Sequence, residues 1–342
     1  MPLTAVALSG GVDSLVAALR LREAGHRLIA LHFTTGFETV APETVRSLAR
    51  TLDIPLHEID LAVPFRRAVV EDFVETYRRG QTPNPCMACN PRIKFGLLLD
   101  QARNLGADRL ATGHYARITR DEDGRVHLWR GADRAKDQSY FLARVPPDRL
   151  AAAVFPLGEL TKGAVLRRAT AAGFSWDLRS ESQDICFVQG AYADFLAAEG
   201  VVSRTGEIVT VTGEVIGRHP GLHRFTVGQR RGIGVPGPEP YFVVRLAVES
   251  NQLVVGTKAD LSANGCRVAG VNWIAPLPTG PVAARVRVRY RHRAAPSRIW
   301  PAPDGGADVR FDAPQSAVTP GQGAVFFRDE EVLGGGIITE AL

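Results

Sequence analysis

The sequence has few cysteines, no apolar run long enough to cross a membrane, and no basic segment at its start. Four cysteines in 342 residues are too few for the disulfide framework of a small secreted domain. Residues 1–8 lack the basic n-region of a signal peptide, and no stretch approaches the roughly 20 apolar residues of a membrane helix. We therefore expect a cytoplasmic protein with no membrane partner.

The bulk composition is also without extremes. An apolar fraction of 45% and a charged fraction of 23% are ordinary for a globular protein. A chain of 342 residues exceeds what one hydrophobic core usually holds, so two or three domains are expected. The net charge of +5 permits a polyanionic partner but does not require one. Function must therefore be sought in the motifs.

The segment Ser9-Gly10-Gly11-Val12-Asp13-Ser14 lacks the spacing and the lysine of a Walker phosphate loop. It joins an apolar run at 3–8, which predicts a buried strand, to the predicted helix start at 15–19. Glycines at such a turn let backbone N–H groups approach an anion, and the helix N-terminus adds partial positive charge. Asp13 could orient a metal ion. A plain connector is the alternative, but the segment resembles the pyrophosphate loop of ATP pyrophosphatases.

The N-terminal part alternates predicted strands with predicted helices, which is typical of a doubly wound α/β domain with a parallel sheet. Strands are predicted at 28–33, 55–61 and 109–114, and helices at 42–53, 65–79, 93–105, 149–155 and 161–172, with Thr161 as a capping residue. Nucleotides bind at the carboxyl ends of such strands. The loop, the topology and its resemblance together predict an ATP site formed by Ala7, Leu8, Ser9, Gly10, Gly11, Val12, Asp13, Ser14, Phe33 and Gly113.

Residues 82–91 combine three prolines with two cysteines, Cys86 and Cys89. Because proline disfavours helices and central strands, we expect a rigid loop. Two cysteines three apart on such a loop suit a metal or redox role better than core packing. A third, Cys186, follows the residues Ser182–Ile185, whereas Cys266 lies in a β-rich stretch and is predicted to be a core residue. The residues alone leave zinc, a redox disulfide and an iron–sulfur site open.

Six motifs occur in order between Ser9 and Gly234: SGGVDS, TPNPCxxCNxxIKFG, ATGHYAR, KDQSYFL, SQDICFV and FTVGQRRGIG. With them the chain resembles the tRNA-specific 2-thiouridylases (the MnmA/TrmU family) along nearly its whole length. The resemblance implies ATP-dependent adenylation of the C2 oxygen of the wobble uridine and its replacement by sulfur, with release of AMP and pyrophosphate. It implies an ATP-pyrophosphatase domain of the adenine nucleotide alpha hydrolase type at 1–200, a small mainly β domain at 201–262 and a tRNA-binding C-terminal β-barrel at 263–342.

The resemblance also implies roles for two cysteines. Cys89 matches the family nucleophile because it directly precedes Asn90 and the IKF triplet, and Cys186 matches the carrier of the persulfide. A free thiol is mostly protonated near neutrality. We therefore expect local positive charge to favour the thiolate, with three candidate sources: Lys94, Lys136 and a helix beginning near Ile93.

Cys86 departs from the pattern of the many members that carry an aspartate with an acid–base role at this position. It matches an NPCxxC variant of the family, and two roles stay open. The thiol could stand in for the aspartate beside a persulfide–disulfide cycle. Alternatively, Cys86, Cys89 and Cys186 could hold three irons of a [4Fe–4S] cluster, which leaves the fourth iron free to bind sulfide.

The partners implied by the resemblance are ATP with Mg²⁺, the anticodon arm of tRNAs for Lys, Glu and Gln, and a sulfur donor such as a cysteine desulfurase or a relay protein. Residues 34–43 lack the longer acidic insertion usual after the second strand, which leaves details of the nucleotide pocket or of donor docking open. The implied tRNA contacts are Asn84, Pro85, Cys86, His114, Lys136, Asp137, Gln138, Arg289, Tyr290 and Gln322.

Arginines alternate with apolar residues from Arg285 to Arg291. Because side chains of a strand point to opposite faces in turn, we expect one strand with four arginines on one face and Tyr290 with the valines packed inward. That face is either solvated or, as we favour, bound to tRNA phosphates that offset the repulsion. We also expect a hairpin turn at Asp123-Gly124 and a linker turn at 262–265.

Two other functions remain open. One is a different ATP-pyrophosphatase reaction, such as a lysidine-type or amide-forming ligation, which needs the SGGVDS loop but no thiol relay. The other is an RNA-binding protein with a structural metal at Cys86 and Cys89, which would bind RNA without consuming ATP. Substitution of Cys89 and Cys186 separates the first alternative from thiolation.

Overall fold

The computed structural model describes residues 3–174, 185–237 and 239–342. The first three residues of the SQDICFV motif, 182–184, lie outside the described residues, whereas Cys186 lies inside. The elements of the N-terminal region are β1 (Leu3–Ala7), α1 (Val12–Glu23), β2 (Arg27–Thr34), α2 (Pro42–Thr51), β3 (Leu56–Asp60), α3 (Ala62–Phe65), α4 (Glu71–Arg78), α5 (Pro85–Cys89), α6 (Leu99–Asn104), β4 (Arg109–Ala111), β5 (Ala116–Arg120), β6 (Val126–Arg130), α7 (Ser139–Leu142), α8 (Pro147–Leu150), β7 (Ala153–Val154), α9 (Lys162–Ala171) and α10 (Tyr192–Ala198).

Within the described residues, five parallel strands form a sheet in the order β3-β2-β1-β4-β7. Ala5 and Val6 in the middle of the central strand β1 are fully buried, as expected for a strand covered by helices on both faces. The order places β1 and β4 side by side, so the turn after β1 and the turn after β4 meet at one edge of the sheet. The predicted doubly wound α/β domain is confirmed.

The predicted loop at 82–91 is wrong. Pro85 opens α5, which carries both Cys86 and Cys89 and continues into a π-helical stretch over Asn90–Leu98. Proline is well suited to the first turn of a helix, where its missing N–H leaves no hydrogen bond unmade. The helix expected to begin near Ile93 therefore begins eight residues earlier, with a kink at Gly96, where an added Cβ would lie 2.8 Å from the Pro91 carbonyl oxygen.

The predicted helix at 149–155 is also wrong beyond its first turn. Helix α8 ends at Leu150, and β7 follows as the last strand of the parallel sheet, pairing with β4. Two hydrogen bonds, from the Leu110 N–H to the Ala152 carbonyl and from the Thr112 N–H to the Val154 carbonyl, hold it there. The gain of sheet pairing outweighs the local helical preference. In contrast, the Thr161 cap is confirmed, because its hydroxyl accepts from the Ala164 N–H.

The middle region forms a four-stranded sheet from described residues, in the order β10-β11-β8-β9. In residues 262–341, six further strands close into a barrel because β12 pairs with both β15 and β17. These elements are β8 (Gly206–Thr210), β9 (Val215–His219), β10 (Phe242–Ala247), β11 (Gln252–Gly256), β12 (Ser262–Trp273), β13 (Val282–Arg287), β14 (Ala295–Pro301), β15 (Ala307–Ser316), β16 (Gly323–Arg328) and β17 (Glu331–Ala341).

The predicted linker turn at 262–265 is the start of β12. Its backbone pairs with β15, where Ser262 lies opposite Ser316. Gly265 is explained by close packing instead of a turn, because a Cβ there would lie 2.3 Å from the Val309 carbonyl oxygen. Glycine in a strand often marks such a close backbone approach.

The predicted four-arginine strand is wrong in its second half. Strand β13 ends at Arg287, where its pairing with β16 also ends, and residues 288–291 turn away. Arg289 and Arg291 therefore do not continue the face that begins at Arg285. The valine half of the pattern is confirmed, since Val286 and Val288 are buried in the barrel core.

The hairpin of β5 and β6 turns at Asp123-Gly124 as predicted, with Gly124 at a φ of 77°. It belongs to the N-terminal region, yet β6 pairs with β17 of the barrel through Leu128 and Trp129. One large apolar core runs from the parallel sheet to residues of β16 and β17. Among the described residues, no helix combines the length and the apolar character needed to cross a membrane.

Candidate active site

The turn between β1 and α1 is closed by its own side chains. The Ser14 hydroxyl donates to the Gly11 carbonyl oxygen at 2.8 Å, and the Ser9 hydroxyl donates to Ser14 Oγ at 3.2 Å. Gly10 has a φ of +82°, and a Cβ there would lie 2.7 Å from Val40 Cγ1. Sterics and backbone conformation thus both favour glycine, and the turn is held in shape by bonds within five residues.

Asp13 receives hydrogen bonds from two residues that sequence analysis missed. The Tyr115 hydroxyl donates to Asp13 Oδ1 at 2.8 Å, and Lys162 Nζ lies 2.8 and 2.9 Å from its two carboxylate oxygens. Lys162 is the first residue of α9, directly after its cap. A lysine at the first position of a capped helix indicates an anion nearby, because a helix N-terminus does not favour a cation.

The turn after β4 touches the turn after β1. A Cβ on Gly113 would lie 2.9 Å from the Asp13 carbonyl carbon, so only glycine fits. The structure therefore places Gly113 beside the Ser9–Ser14 loop, where the predicted nucleotide site needs it. Phe33, at the end of β2, packs against the main core.

His114, which follows Gly113 in the sequence, is 8% exposed and lies between the rings of Phe95 and Phe155. Its Nδ1 lies 2.7 Å from the Thr112 hydroxyl oxygen. Burial, with a smaller contribution from the positive charge of Lys94, holds the pKa of His114 well below its usual range. His114 is therefore a neutral ring near pH 7, able to stack or to form hydrogen bonds but not to bring positive charge.

Three free thiols lie close enough to influence one another's ionisation. Burial raises the pKa of Cys89 to about 12, and Lys94 opposes this shift. Desolvation also raises the pKa values of Cys86 and Cys186, and the positive charge of Lys94 offsets only part of this rise. Because Cys86 and Cys186 are exposed while Cys89 is half-buried, we take the desolvation as strongest at Cys89. The predicted influence of Lys94 is thus present, but burial outweighs it.

Cys266 lies apart from these thiols. It is fully buried in the barrel core, and burial raises its pKa to about 12. The prediction that it packs as a small core residue is confirmed.

The KDQS segment is tied into the fold by its middle residues. Asp137 is 1% exposed, accepts from Arg130 Nε at 2.9 Å and from the Gly131 and Ser139 N–H groups at 3.1 Å each. Arg287 of the barrel lies 3.6 Å from the same carboxylate. These contacts make Asp137 an organiser of the segment.

The other predicted tRNA contacts surround this segment. Gln138 Oε1 accepts from the Tyr115 N–H at 3.1 Å, and Tyr290 packs against Phe141 with 4.4 Å between ring centroids. Gln322 reaches the chain segment just before α5, where its amide donates to two carbonyl groups. Contact of any of these residues with tRNA stays a prediction, as do the roles predicted for Asn84, Pro85, Lys136 and Arg289.

Three family models match the chain. A tRNA methyl transferase HUP domain matches residues 3–190, a tRNA methyl transferase PRC-barrel domain matches 193–257, and an aminomethyltransferase beta-barrel domain matches 263–338. Among relatives, the tRNA-specific 2-thiouridylase MnmA of Desulfosudis oleivorans is 49% identical over 98% of this chain and 95% of that protein. The MnmA of Geobacter metallireducens is 44% identical over 98% of this chain and 96% of its own. The chain belongs to the MnmA family.

A solved 4-thiouridine synthetase in complex with RNA and ATP aligns over 50% of this MnmA-family chain and 41% of its own, with 19% identity and a TM-score of 0.35. A likeness this weak carries no argument about the site. The matched ranges 3–190 and 263–338 fall within the predicted domains at 1–200 and 263–342. The PRC-barrel range 193–257 begins eight residues before the predicted middle domain at 201–262. The exact boundaries stay predictions.

Two possible metal sites of this MnmA-family chain differ in how well the residues fit. The carboxylate of Asp13 is 36% exposed at the phosphate-type turn and offers the oxygen ligands that Mg²⁺ prefers. For an iron–sulfur cluster, no group of three or more His, Cys, Asp or Glu side chains in the described ranges is placed to hold a metal ion. The thiols as they stand do not fit a cluster, and no step below is routed through one.

Proposed function

We propose that this chain converts the C2 oxygen of a tRNA uridine to sulfur, using ATP to activate the oxygen and a cysteine persulfide to deliver the sulfur. One observation carries the proposal: two adjacent residues connect the phosphate-type turn to the thiols. Gly113 packs against Asp13. The neighbouring His114 lies close enough to Lys94 for the lysine charge to lower the pKa of His114. Lys94 in turn acts on all three thiols.

The activation step uses the Ser9–Ser14 turn. The uridine C2 oxygen attacks the α-phosphorus of ATP, pyrophosphate leaves, and the oxygen becomes part of an AMP leaving group. The backbone N–H groups of the turn and the N-terminus of α1 favour the phosphate charge. Asp13 would hold Mg²⁺, which when bound neutralises phosphate charge, and Lys162 holds the carboxylate in place.

The sulfur step uses two of the thiols. A protein persulfide donor first loads Cys186. The outer sulfur of the Cys186 persulfide loses its proton to solvent and attacks C2, and AMP leaves as the C–S bond replaces the C–O bond. The deprotonated Cys89 sulfur then attacks Cys186 Sγ, which breaks the S–S bond of the persulfide, leaves the outer sulfur on C2 and forms the Cys89–Cys186 disulfide. The two cysteines thus supply the two electrons that reduce the transferred sulfur, and two external thiols then reduce the disulfide. Because burial raises the pKa of Cys89 to about 12, the enzyme without substrate keeps Cys89 protonated and unreactive.

We further propose the anticodon arm of tRNAs for Lys, Glu and Gln as the substrate and a cysteine desulfurase or relay protein as the donor. The resemblance carried by the six motifs supports this choice of tRNAs and donor, and the relatives named tRNA-specific 2-thiouridylase support a tRNA substrate. Arg291 is exposed and Arg289 half-buried at the turn beyond β13, where they could meet phosphates. A ligase of the same ATP-pyrophosphatase type would not need the thiol group around Lys94.

The test is the exchange of single sulfurs for oxygens. Cys186→Ser and Cys89→Ser should each abolish 2-thiouridine formation from tRNA, ATP and a persulfide donor, since serine can neither carry nor accept the sulfur. Cys266→Ser is the matched control, because Cys266 is buried in the barrel away from the other thiols, and it should retain activity. Thiolation at the wild-type yield by either of the first two variants would refute the proposal.

A further inference from the structure

We propose that the barrel turn Pro320–Gly323 sets the position of the helix that carries Cys86 and Cys89, and that Gln322 is the positioning residue of this contact. The inference deepens the proposed function, on which its catalytic meaning rests. It concerns the segment Thr82–Asn84, which leads into α5, and the turn that leads into β16.

The hydrogen bonds between these two segments join residues about 240 positions apart in the sequence. Gln322 Nε2 donates to the Thr82 and the Pro83 carbonyl oxygens, each at 3.0 Å. In return, the Thr82 N–H donates to the Pro320 carbonyl oxygen at 2.9 Å. The backbone just before α5 is therefore paired with the barrel through both its N–H and its carbonyl groups, which leaves it little freedom to shift.

Steric fit reinforces this pairing at both glycines of the turn. A Cβ on Gly321 would lie 2.6 Å from the Thr82 carbonyl oxygen, and one on Gly323 would lie 2.2 Å from Met87 Sδ. Met87 is fully buried and stands between the two cysteines. The Tyr140 hydroxyl closes the contact by donating to the Gly323 carbonyl oxygen at 3.0 Å.

The turn itself is anchored in the barrel. The Gly321 N–H donates to the Ile338 carbonyl oxygen, and the Ile338 N–H donates to the Gln322 carbonyl oxygen, both at 2.8 Å. A shift of the barrel is therefore transmitted to the start of α5. Because the Gln322 amide already serves two carbonyl groups, we assign it to the thiol segment and not to RNA.

The experiment compares Gln322→Met with Gln315→Met in the full chain, by labelling without tRNA and separately in thiolation of tRNA. Gln315 is the matched control, since its amide also donates to two carbonyl oxygens of the barrel, but to those of its neighbours Ala313 and Pro314. The readouts are the iodoacetamide labelling rate of Cys89, measured by peptide mass spectrometry, and kcat and KM for tRNA. Loss of the Gln322 hydrogen bonds to Thr82 and Pro83 should speed labelling of Cys89 by about fivefold. This factor corresponds to the net free energy of one hydrogen bond.

In thiolation, Gln322→Met should lower kcat and leave KM for tRNA within about twofold, because it disturbs the reacting group and not the binding of the substrate. Gln322→Lys, whose ammonium can donate to the same carbonyls, should restore slow labelling. Gln315→Met should behave as wild type. If Gln322→Met does not fold, Gln322→Ala, which also lacks the donor, replaces it with the same expectations.

Wild-type labelling of Cys89 in the folded Gln322 variant would overturn the proposal, whether or not tRNA affinity falls. A fall in affinity with unchanged labelling would make Gln322 a tRNA contact. Since labelling needs neither ATP nor tRNA, this inference can fail while thiolation stands. If thiolation fails instead, the labelling result still decides whether the barrel positions α5.

Discussion

The Ser9–Ser14 turn (the phosphate-type turn) and helix α5, which carries Cys86 and Cys89 (the thiol helix), are held in place in opposite ways. The turn at Ser9–Ser14 is closed by hydrogen bonds between residues at most five apart. The segment before α5 is fixed by a barrel turn about 240 residues away in the sequence. The backbone of a turn closed by local bonds can be predicted from a short motif, whereas the structure and position of a segment held by distant residues cannot. The comparison also separates the two halves of the reaction, since each half depends on a different part of the fold.

Asp13→Ala gives the largest expected effect and tests whether the two halves are separable. We expect tRNA-dependent pyrophosphate release to fall by at least about a hundredfold, because the carboxylate proposed to hold Mg²⁺ is lost. Labelling of Cys89 should not change, because the thiol helix is held elsewhere. Asp123→Ala is the control, since its side chain is 72% exposed at the hairpin tip. Release of orthophosphate in place of pyrophosphate by the wild type would contradict the activation step itself.

The pH dependence of Cys89 labelling sharpens the description of the thiol half. Burial raises the pKa of Cys89 to about 12, so the reactive thiolate stays a minor species and its labelling rate should climb about tenfold per pH unit from about pH 7 to 10. Lys94→Met should slow labelling further, since Lys94 lowers the pKa. A plateau near pH 8 would show that Lys94 outweighs burial.

Two arginines of the barrel should differ although they lie four residues apart. Arg287→Ala removes a partner of the buried Asp137 carboxylate, so we expect a loss of about 1–3 kcal/mol in the free energy of unfolding and an unchanged salt dependence of tRNA binding. Arg291→Ala, at an exposed position, should leave stability unchanged and flatten the slope of log affinity against log salt by about 0.7–0.9. Equal behaviour of the two variants in urea unfolding and in filter binding would contradict this distinction.

The smallest effect concerns the hairpin that joins the two regions. His127 lies 2.6 Å from Glu331 of the barrel, and this hydrogen bond, supported by Asp121, raises the pKa of His127. A raised pKa in the folded state means that the stabilisation is present below the ordinary histidine pKa and is lost as the pH rises through the raised value. His127→Gln should cost at most about 1 kcal/mol at pH 6 and nothing at pH 9, which thermal unfolding at both pH values measures. A larger loss at pH 9 would show that the contact is not an ion pair.

What the sequence predicts correctly is what neighbouring residues decide. The glycine turn after β1, the parallel sheet, the cap at Thr161 and the hairpin turn at Gly124 all depend on contacts within a few residues or on periodic burial. Gly113 could be placed near the turn because the topology of a parallel sheet brings strand ends together.

The errors share a different cause. Prolines at 83, 85 and 91 suggested a loop, but the segment from Pro85 onward is helical. Just before the helix, the Gln322 amide of the barrel donates a hydrogen bond to the Thr82 carbonyl oxygen. The arginine strand stops where its pairing with β16 stops, at Arg287. Lys162 could not be assigned to Asp13 because 149 residues separate them. In each case a partner remote in sequence decides the local structure.

The pairing of β6 with β17 has a consequence for biosynthesis. Trp129 lies opposite Glu331, so about 200 residues must be made after β6 before its outer edge meets its partner. At about 5–20 residues per second, the nascent chain waits roughly 10–40 s with that edge unpaired. An uncovered strand edge is a template for pairing with other chains. While the N-terminal half is still bound to the ribosome, this edge is therefore open to pairing with another chain, and slow translation of the barrel would lengthen that interval.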